Sequence, residues 1–356
     1  MTTSSSASPS AIEHPSVWTA ADFQSDSSWL HRIQHDQVQC ILEAARLWQG
    51  RAFNSLSREE AEGALPALAP MARAIRGELG SRGFALIRGV PVGELSPDEI
   101  RSIYWGIGLL FGQGLTQNAK ADFLCPVTDM GVNFGYSGSA DQQNARGYQS
   151  NADLNYHCDP TDVVALLCVR KAREGGVSTI VSTPAIYNEI ALHHPAHLEV
   201  LERGFPYDRK AEQWPSEAPV TERIPVFRAH SDRVSCRYAR SYILGGAQKT
   251  EPLTAAELAA LDCFDGIARR PGMSLHVPFE PGDIQLLNNF TVVHGRTAYT
   301  DHPEPTQRRF LWRLWLQLGD EKPWHQESEE MRWAFARFGN LGRTVSEWER
   351  IAASQA

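Results

Sequence analysis

The chain has 356 residues, 42% of them hydrophobic, which is enough to bury a sizeable core. Its 34 basic and 42 acidic residues give a net charge of −8, and the basic residues are scattered, so we expect no nucleic-acid partner. The six cysteines form no CxxC pair, which argues against a zinc ribbon, and the longest aliphatic run is too short to span a membrane. These features predict a cytoplasmic protein with reduced thiols.

The first element in chain order is a Ser-rich segment, which predicts a disordered tail over residues 1–15. Helical patterns follow this tail. One helix is predicted to start at Ser57, which forms a capping-box pattern with Glu60, and another starts at the Ser96-Pro97 pair. Between these two helices, the stretch GFALIRGVPV predicts a strand that lies between glycines.

From about residue 160 the sequence changes to short candidate strands separated by turns. They are DVVALLCVR, VSTIVS, PVFRAHSDRVSCRYARSYI, MSLHVPFEPGDIQLLNNFTVVHGR and RRFLWRLWLQL. Helical insertions are predicted at 184–203 and 253–270, and a helical tail at 323–338. Because no repeat or linker divides the chain, we expect one domain over residues 16–356, mainly β with a helical shell (α+β). Its core, at about 80–320, is predicted to be a double-stranded β-helix, or jelly roll.

The pattern His-x-Asp/Glu is a candidate metal-binding feature, and it begins at five positions: His157, His197, His230, His302 and His325. A ferrous ion held by two histidines and one carboxylate keeps three coordination positions open. His197 lies in a predicted helix, where residues i and i+2 diverge by about 200°, and His230 lies at the tip of a predicted hairpin. His157 and Asp159 stand at a strand edge, where i and i+2 point to the same side. They are the best candidate ligands, although a polar turn before a buried strand stays open.

A second group of candidate residues lies downstream. His294 follows His157 by 137 residues and sits on an apolar segment, where it is either a ligand or a core histidine. Arg309 and Arg313 share one face of a predicted strand, about 13 Å apart. Buried guanidinium groups need anions. For Arg313 that anion is either a substrate or an internal acid, and the internal candidates are Asp283 and Glu280.

Four ordered pieces now form a recognisable pattern: HCD at 157–159, GGVST at 175–179, NNFTVVHGR at 288–296 and RRFLWR at 308–313. Together they resemble the taurine and 2,4-dichlorophenoxyacetate dioxygenase family, which is related to clavaminate synthase, within the Fe(II) and 2-oxoglutarate dependent oxygenases. The resemblance implies that Fe(II) is bound by His157, Asp159 and His294. It also implies that Arg309 pairs with the distal carboxylate of 2-oxoglutarate, helped by the hydroxyl of Ser178 or Thr179. Arg313 matches the arginine that meets the substrate's anionic head.

The implied reaction uses Fe(II), 2-oxoglutarate and O2 to oxidise an unactivated C–H bond of a small substrate, and it yields succinate and CO2. Hydroxylation, desaturation and ring closure stay open, and the substrate is expected to carry a carboxylate or another anion. The polar segment 135–159 predicts a loop that closes over the site. Tyr148, Asn151 and Asn155 on this loop are candidate substrate contacts, with ordinary turn polarity as the alternative.

Two other functions stay open. A cupin-like metal enzyme that does not use 2-oxoglutarate would have no need for Arg309 to face the metal. A catalytically silent binding protein on the same fold is the other, and an intact ligand triad argues against it. Homo-oligomerisation is left open by the sequence.

Overall fold

The computed structural model describes residues 11–132, 146–230, 232–319, 330–331 and 337–355. Most of the predicted helical tail at 323–338, and residues 135–145 of the predicted loop, lie outside the described residues. So do residues 1–10 of the predicted N-terminal tail, but Ile12 is buried and its backbone N–H donates to Asn188 Oδ1 at 2.8 Å. Ile12 therefore packs against helix residues far along the chain.

Regular elements alternate along the described residues. The α-helices are α1 (His35–Leu47), α2 (Arg58–Ala64), α3 (Ala69–Gly80), α4 (Pro97–Leu109), α5 (Thr183–His193), α6 (Pro195–Arg203), α7 (Arg240–Lys249), α8 (Ala255–Ala268) and α9 (Val345–Gln355). The strands are β1 (Leu30–Arg32), β2 (Phe84–Arg88), β3 (Gly112–Leu115), β4 (Leu124–Val127), β5 (Leu154–His157), β6 (Val163–Arg170), β7 (Glu174–Gly175), β8 (Ser178–Ser182), β9 (Phe227–Ala229), β10 (Val234–Cys236), β11 (Leu275–Val277), β12 (Ile284–Asn288), β13 (Val292–Arg296), β14 (Tyr299–Thr300) and β15 (Phe310–Leu318). Within this part of the chain, no helix is long and apolar enough to cross a membrane.

The N-terminal helices form as their caps predict. Ser57 and Ser96 each accept a hydrogen bond from the backbone three residues on, and in both cases a glutamate bonds back. Helix α4 is buried along most of its length against the larger sheet. A Cβ atom at Gly108 of this helix would lie only 2.4 Å from Leu314 Cδ2, so the glycine lets helix and sheet approach closely.

Two sheets face each other across an apolar interior. The larger runs β1-β2-β12-β6-β15-β3, with β4 also paired to β15, and the smaller runs β11-β8-β13-β5. Phe84, Leu287 and Trp315 from the larger sheet pack in one cluster with Ile180 and Val292 from the smaller sheet. Helices α1 to α4 cover the outside of the larger sheet, and α5 to α8 lie beside the smaller one. This arrangement confirms the predicted jelly-roll core with a helical shell.

Two details of the predicted elements are wrong. The stretch predicted as strand from PVFRAH to YARSYI forms the short hairpin β9-β10 and then enters helix α7 at Arg240. Arg240 bonds Asp265 of α8 at 2.8 Å, a tertiary contact that local strand propensity does not reveal. The predicted helix at 184–203 is two helices, because Pro195 has no N–H to continue α5 and the chain turns at His194.

Candidate active site

Strand register brings the two predicted histidine ligands together. β5 and β13 are neighbours in the smaller sheet, and His157 is the direct partner of His294. Their ring centroids are 4.3 Å apart. Asp159 follows two residues after His157, and its backbone N–H donates to Asn289 Oδ1 at 2.9 Å. The backbone therefore fixes the Cα positions from which all three side chains extend.

The three side chains converge without bonding one another. Asp159 Oδ1 lies 4.0 Å from His157 Nε2, and Asp159 Oδ2 lies 4.0 Å from His294 Nε2. These separations are too long for hydrogen bonds, but all three donor atoms lie within 4.8 Å of one another and can share one ion. The His157 Nδ1 lies 2.9 Å from the Asn155 carbonyl oxygen, a contact that turns Nε2 toward the shared point.

Protonation states also suit a metal site. Burial lowers the pKa of His157, and burial together with His157 lowers the pKa of His294 to about 3, so both imidazoles are neutral donors at pH 7. The Nδ1 of His294 is buried and has no hydrogen-bond partner within the described parts of the chain. Burial opposes the ionisation of Asp159, yet Arg313 and the two imidazoles lower its pKa to about 2. The triad therefore presents the forms that bind iron.

Two buried side chains contact the carboxylate of Asp159. Arg313 Nη1 lies 3.3 Å from Asp159 Oδ1, and Trp315 Nε1 donates to Oδ2 at 3.1 Å. The Nε of Arg313 donates to Gln117 Oε1 at 2.8 Å, and its guanidinium lies 4.6 Å from the centroid of the Tyr148 ring. The structure thus places Arg313 in the metal pocket, where it orients a ligand.

The internal acids considered for Arg313 are engaged elsewhere. Asp283 bonds Arg88 at 2.6 Å, and Glu280 bonds Lys171 at 2.8 Å. The carboxylate beside Arg313 is Asp159 itself. Whether Arg313 also meets a substrate anion stays a prediction.

Arg309 lies in the same cavity as the triad, one residue before β15. It is 4% exposed, and its Nη1 finds no hydrogen-bond partner in the described chain. Its guanidinium lies 5.0 Å from the centroid of the Tyr299 ring. Gly176 has a φ of 68°, and a Cβ there would lie 3.1 Å from Arg309 Nε, so the glycine leaves room for the arginine. This buried cation is suited to an anionic ligand.

The two candidate hydroxyls lie on opposite faces of β8. In the pairing with β13, Ser178 is opposite Arg296 and Thr179 is opposite Gly295, so Ser178 shares the face of His294. Ser178 lines the cavity, and its Oγ donates to Gln285 Oε1 at 2.8 Å.

Two of the three candidate substrate contacts line the cavity. Tyr148 lines the cavity, and burial raises the pKa of its hydroxyl to about 12. Asn155 also lines the cavity, and its side-chain oxygen accepts a hydrogen bond from Arg269. Asn151 is exposed and does not belong to the described lining; its carbonyl accepts from the Tyr299 backbone at 3.0 Å.

The cavity around these groups has a volume of about 140 Å³. Five basic lining residues were missed from the sequence: Arg146, Lys210, Arg237, Arg240 and Arg296. A signal existed for Arg296, because it stands two residues after His294 on one strand and therefore shares its face. The other four lie outside the two large sheets, where no periodicity marks the side that faces a site.

A second group of potential metal donors lies in the helical layer. His194, His197 and Cys263 place their donor atoms within 4.8 Å of one another. The group contains no carboxylate, so it does not have the composition of the two-histidine, one-carboxylate triad.

Comparison with known proteins decides the family. The family described as "Taurine catabolism dioxygenase TauD, TfdA family" matches residues 53–315. The chain belongs to this family. The dioxygenase is 31% identical over 330 residues to FR-33289 synthase of Streptomyces rubellomurinus, a match that covers 89% of this chain and 94% of the relative. It is 26% identical over 162 residues to uridine-5'-phosphate dioxygenase of a Streptomyces species, covering 44% of this chain and 57% of the relative.

Solved structures share the fold of this dioxygenase. Asparagine oxygenase, in complex with Fe(II), 2S,3S-3-hydroxyasparagine and succinate, has a TM-score of 0.63 at 16% identity and covers 81% of this chain and 93% of its own. The non-heme iron oxygenase OrfP, in complex with Fe and alpha-ketoglutaric acid, has a TM-score of 0.59 at 14% identity, with coverages of 88% and 99%. The family and the converging triad confirm the prediction of a dioxygenase that uses Fe(II), 2-oxoglutarate and O2.

Proposed function

We propose that this dioxygenase oxidises an unactivated C–H bond of a small anionic substrate, with succinate and CO2 as coproducts. Hydroxylation is the simplest outcome, and desaturation and ring closure are the others. The observation that carries the proposal is that the triad His157, Asp159 and His294 and the buried Arg309 line one cavity. Iron bound by the triad, together with 2-oxoglutarate and O2, would supply the oxidant.

Arg309 is proposed to bind the distal carboxylate of 2-oxoglutarate. Its buried Nη1, for which the described residues provide no hydrogen-bond partner, supports this role, because a carboxylate would provide the missing acceptor. The facing direction of Ser178 supports it as the accompanying hydroxyl, in preference to Thr179. A cupin-like enzyme without 2-oxoglutarate would leave this buried cation unexplained.

The other residues of the chain position groups and exclude water. Arg313 and Trp315 hold the Asp159 carboxylate at a fixed orientation, so that the ligand needs little reorganisation on binding iron. Val127, Leu166 and Leu311 give the same cavity apolar walls, which keep water away from the reacting groups. Tyr148 and Arg313 are proposed to face the substrate, with Asn155 at the cavity edge.

An anionic substrate is favoured by the cationic lining of the cavity and by the name of one relative, uridine-5'-phosphate dioxygenase. The cytoplasmic location and the single domain over residues 16–356 stay predictions from the sequence, and homo-oligomerisation stays open. The reaction proposal itself can be tested without knowing the substrate.

The test is to add Fe(II) and 2-oxoglutarate to the purified protein without oxygen and to record the visible spectrum. We expect a weak charge-transfer band that needs both additions, and we expect Asp159→Ala to abolish it. His197→Ala is the matched control, because it removes a donor of the other histidine group and should leave the band intact. A protein that binds iron at the triad yet gives no band with 2-oxoglutarate would contradict the proposal.

A further inference from the structure

Three side chains of the helical layer have the chemistry of metal ligands. His194 stands at the turn between helices α5 and α6, His197 lies in the first turn of α6, and Cys263 lies on α8. Their donor atoms lie within 4.8 Å of one another. None of the three belongs to the described lining of the cavity, so a ligand that they share is separate from the proposed reaction.

The turn between the two helices holds the two imidazoles together. Pro195 begins α6, and the backbone N–H of His197 donates to the His194 carbonyl at 2.8 Å. The centroids of the two rings are 5.8 Å apart, and the ring planes meet at 30°. Residues three apart on a helical turn are neighbours, so both imidazoles are presented to one side.

Helix packing brings the thiol to the same place. Leu198 and Leu201 of α6 are buried in one apolar cluster with Leu261 and Phe264 of α8. Cys263 packs against this cluster but stays partly exposed. The donors are therefore fixed on packed helices and remain open to solvent, so that an ion can enter.

No other group of the described chain occupies these donors. The ring nitrogens of His194 and His197 and the thiol of Cys263 make no hydrogen bond or ion pair with a described residue. Burial raises the pKa of the Cys263 thiol, and Arg270 only partly opposes this rise, so the free thiol is protonated at neutral pH. Arg270 bonds Glu189 at 2.5 Å, which offsets its repulsion of an incoming cation. A metal ion would displace only water and the thiol proton.

Two imidazoles and one thiolate are a donor set suited to zinc. Such ligands bind tetrahedral Zn(II) at about 2.0–2.3 Å, and a water can fill the fourth position. Donors at these lengths lie about 3.3–3.8 Å apart by tetrahedral geometry, so separations of up to 4.8 Å can close by side-chain rotation. The set has a thiolate where the iron triad has a carboxylate, and thiolate favours zinc over the harder ferrous ion.

We infer that His194, His197 and Cys263 form a zinc site that links the start of α6 to α8. Helix α8 also supports the wall of the cavity, because its Asp265 bonds Arg240 at 2.8 Å and Arg240 lines the cavity. Zinc at this site restrains the helix that holds that wall. The inference stands independently of the proposed function.

The test uses Co(II), a coloured substitute for zinc, and the full chain with the change Asp159→Ala, which removes a ligand from the triad. Cobalt added without oxygen to the metal-free protein should give a thiolate-to-cobalt charge-transfer band that saturates near one cobalt per chain. Zinc added afterwards should remove the band, since a tetrahedral site with a thiolate favours zinc. The triad contains no thiolate and cannot produce this band.

Cys263→Ser, made in the same background, should abolish the cobalt band. Cys40→Ser is the matched control, because Cys40 is the other partly exposed cysteine, and it should keep the band. His197→Ala should weaken cobalt binding about tenfold or more, which tests the site through a second ligand. Absence of the band, a band that survives in Cys263→Ser, or an unchanged affinity in His197→Ala would overturn the inference.

Discussion

Two pairs of cations line the cavity, each over one tyrosine ring: Arg296 and Arg309 over Tyr299, and Arg146 and Lys210 over Tyr242. The pairs are built on different kinds of scaffold. Arg296 and Tyr299 stand on strands β13 and β14, and Arg309 directly precedes β15. Arg146 precedes a short turn, Lys210 lies in a loop and Tyr242 lies on helix α7. Hydrogen-bonded strands hold one geometry, whereas loops accept substitution and insertion. Under the proposed function, 2-oxoglutarate lies against the sheets, and we expect the substrate to contact segments outside them.

The largest effect is expected from the loss of a metal ligand. Asp159→Ala should weaken Fe(II) binding by more than about 100-fold, and it should leave Arg313 buried without its carboxylate, at a cost of about 3 kcal/mol in the free energy of unfolding. Iron titration and denaturant unfolding measure these two effects. His197→Ala serves as the control for both. An Asp159→Ala variant that still binds iron like the wild type would show that the metal lies elsewhere.

Arg309→Ala should remove only the proposed contact with 2-oxoglutarate. We expect 2-oxoglutarate binding to weaken by about 2–5 kcal/mol, because a buried carboxylate loses its cation. The Michaelis constant for 2-oxoglutarate, measured with iron saturating, reports this effect. Arg308→Ala is the matched control, because Arg308 is the exposed neighbour on the same segment. An unchanged constant in Arg309→Ala would refute this role.

Arg313 contacts both the ligand Asp159 and the Tyr148 ring, and Arg313→Gln tests its role toward the substrate. Turnover of the substrate should fall, uncoupled consumption of 2-oxoglutarate should rise, and 2-oxoglutarate binding at saturating iron should stay close to wild type. Because Arg313 contacts Asp159, iron affinity should also drop by about 10-fold or more. Full coupling at normal turnover in the variant would mean that Arg313 has no role toward the substrate.

The hydroxyl beside 2-oxoglutarate is expected to have a smaller effect. Ser178→Ala should raise the Michaelis constant for 2-oxoglutarate about fivefold, the value of one hydrogen bond near 1 kcal/mol. Thr179→Ala should leave it unchanged, since Thr179 points to the other face of β8. The opposite pattern between these two variants would assign the role to Thr179.

The same scaffold difference explains what the sequence could predict. Period 2 on a strand places His157 and Asp159 on one side, and the structure brings them together with His294. Arg296 was within reach of the same argument. Lys210 was not, because its left-handed backbone and its contact with Tyr242 depend on tertiary structure.

Prediction of the fold from the sequence was limited in the same way, by contacts between distant residues. The alternating apolar runs predicted the jelly-roll core, because strands packed in two sheets must show that pattern. The first turn of helix α7 was predicted as strand, because its start depends on the contact from Arg240 to Asp265, which is distant in sequence. Contacts of this kind leave no local signal.

The pairing of β5 with β13 has a consequence for how the protein comes to hold its metal. His157 and His294 are direct partners although 137 residues separate them, so the two imidazoles meet only once the smaller sheet has closed. A loop of this length closes slowly and at an entropic cost. Iron therefore finds its full ligand set only in the folded chain and stabilises that state by mass action. Iron supply should thus lengthen the lifetime of the folded enzyme and leave its folding rate unchanged.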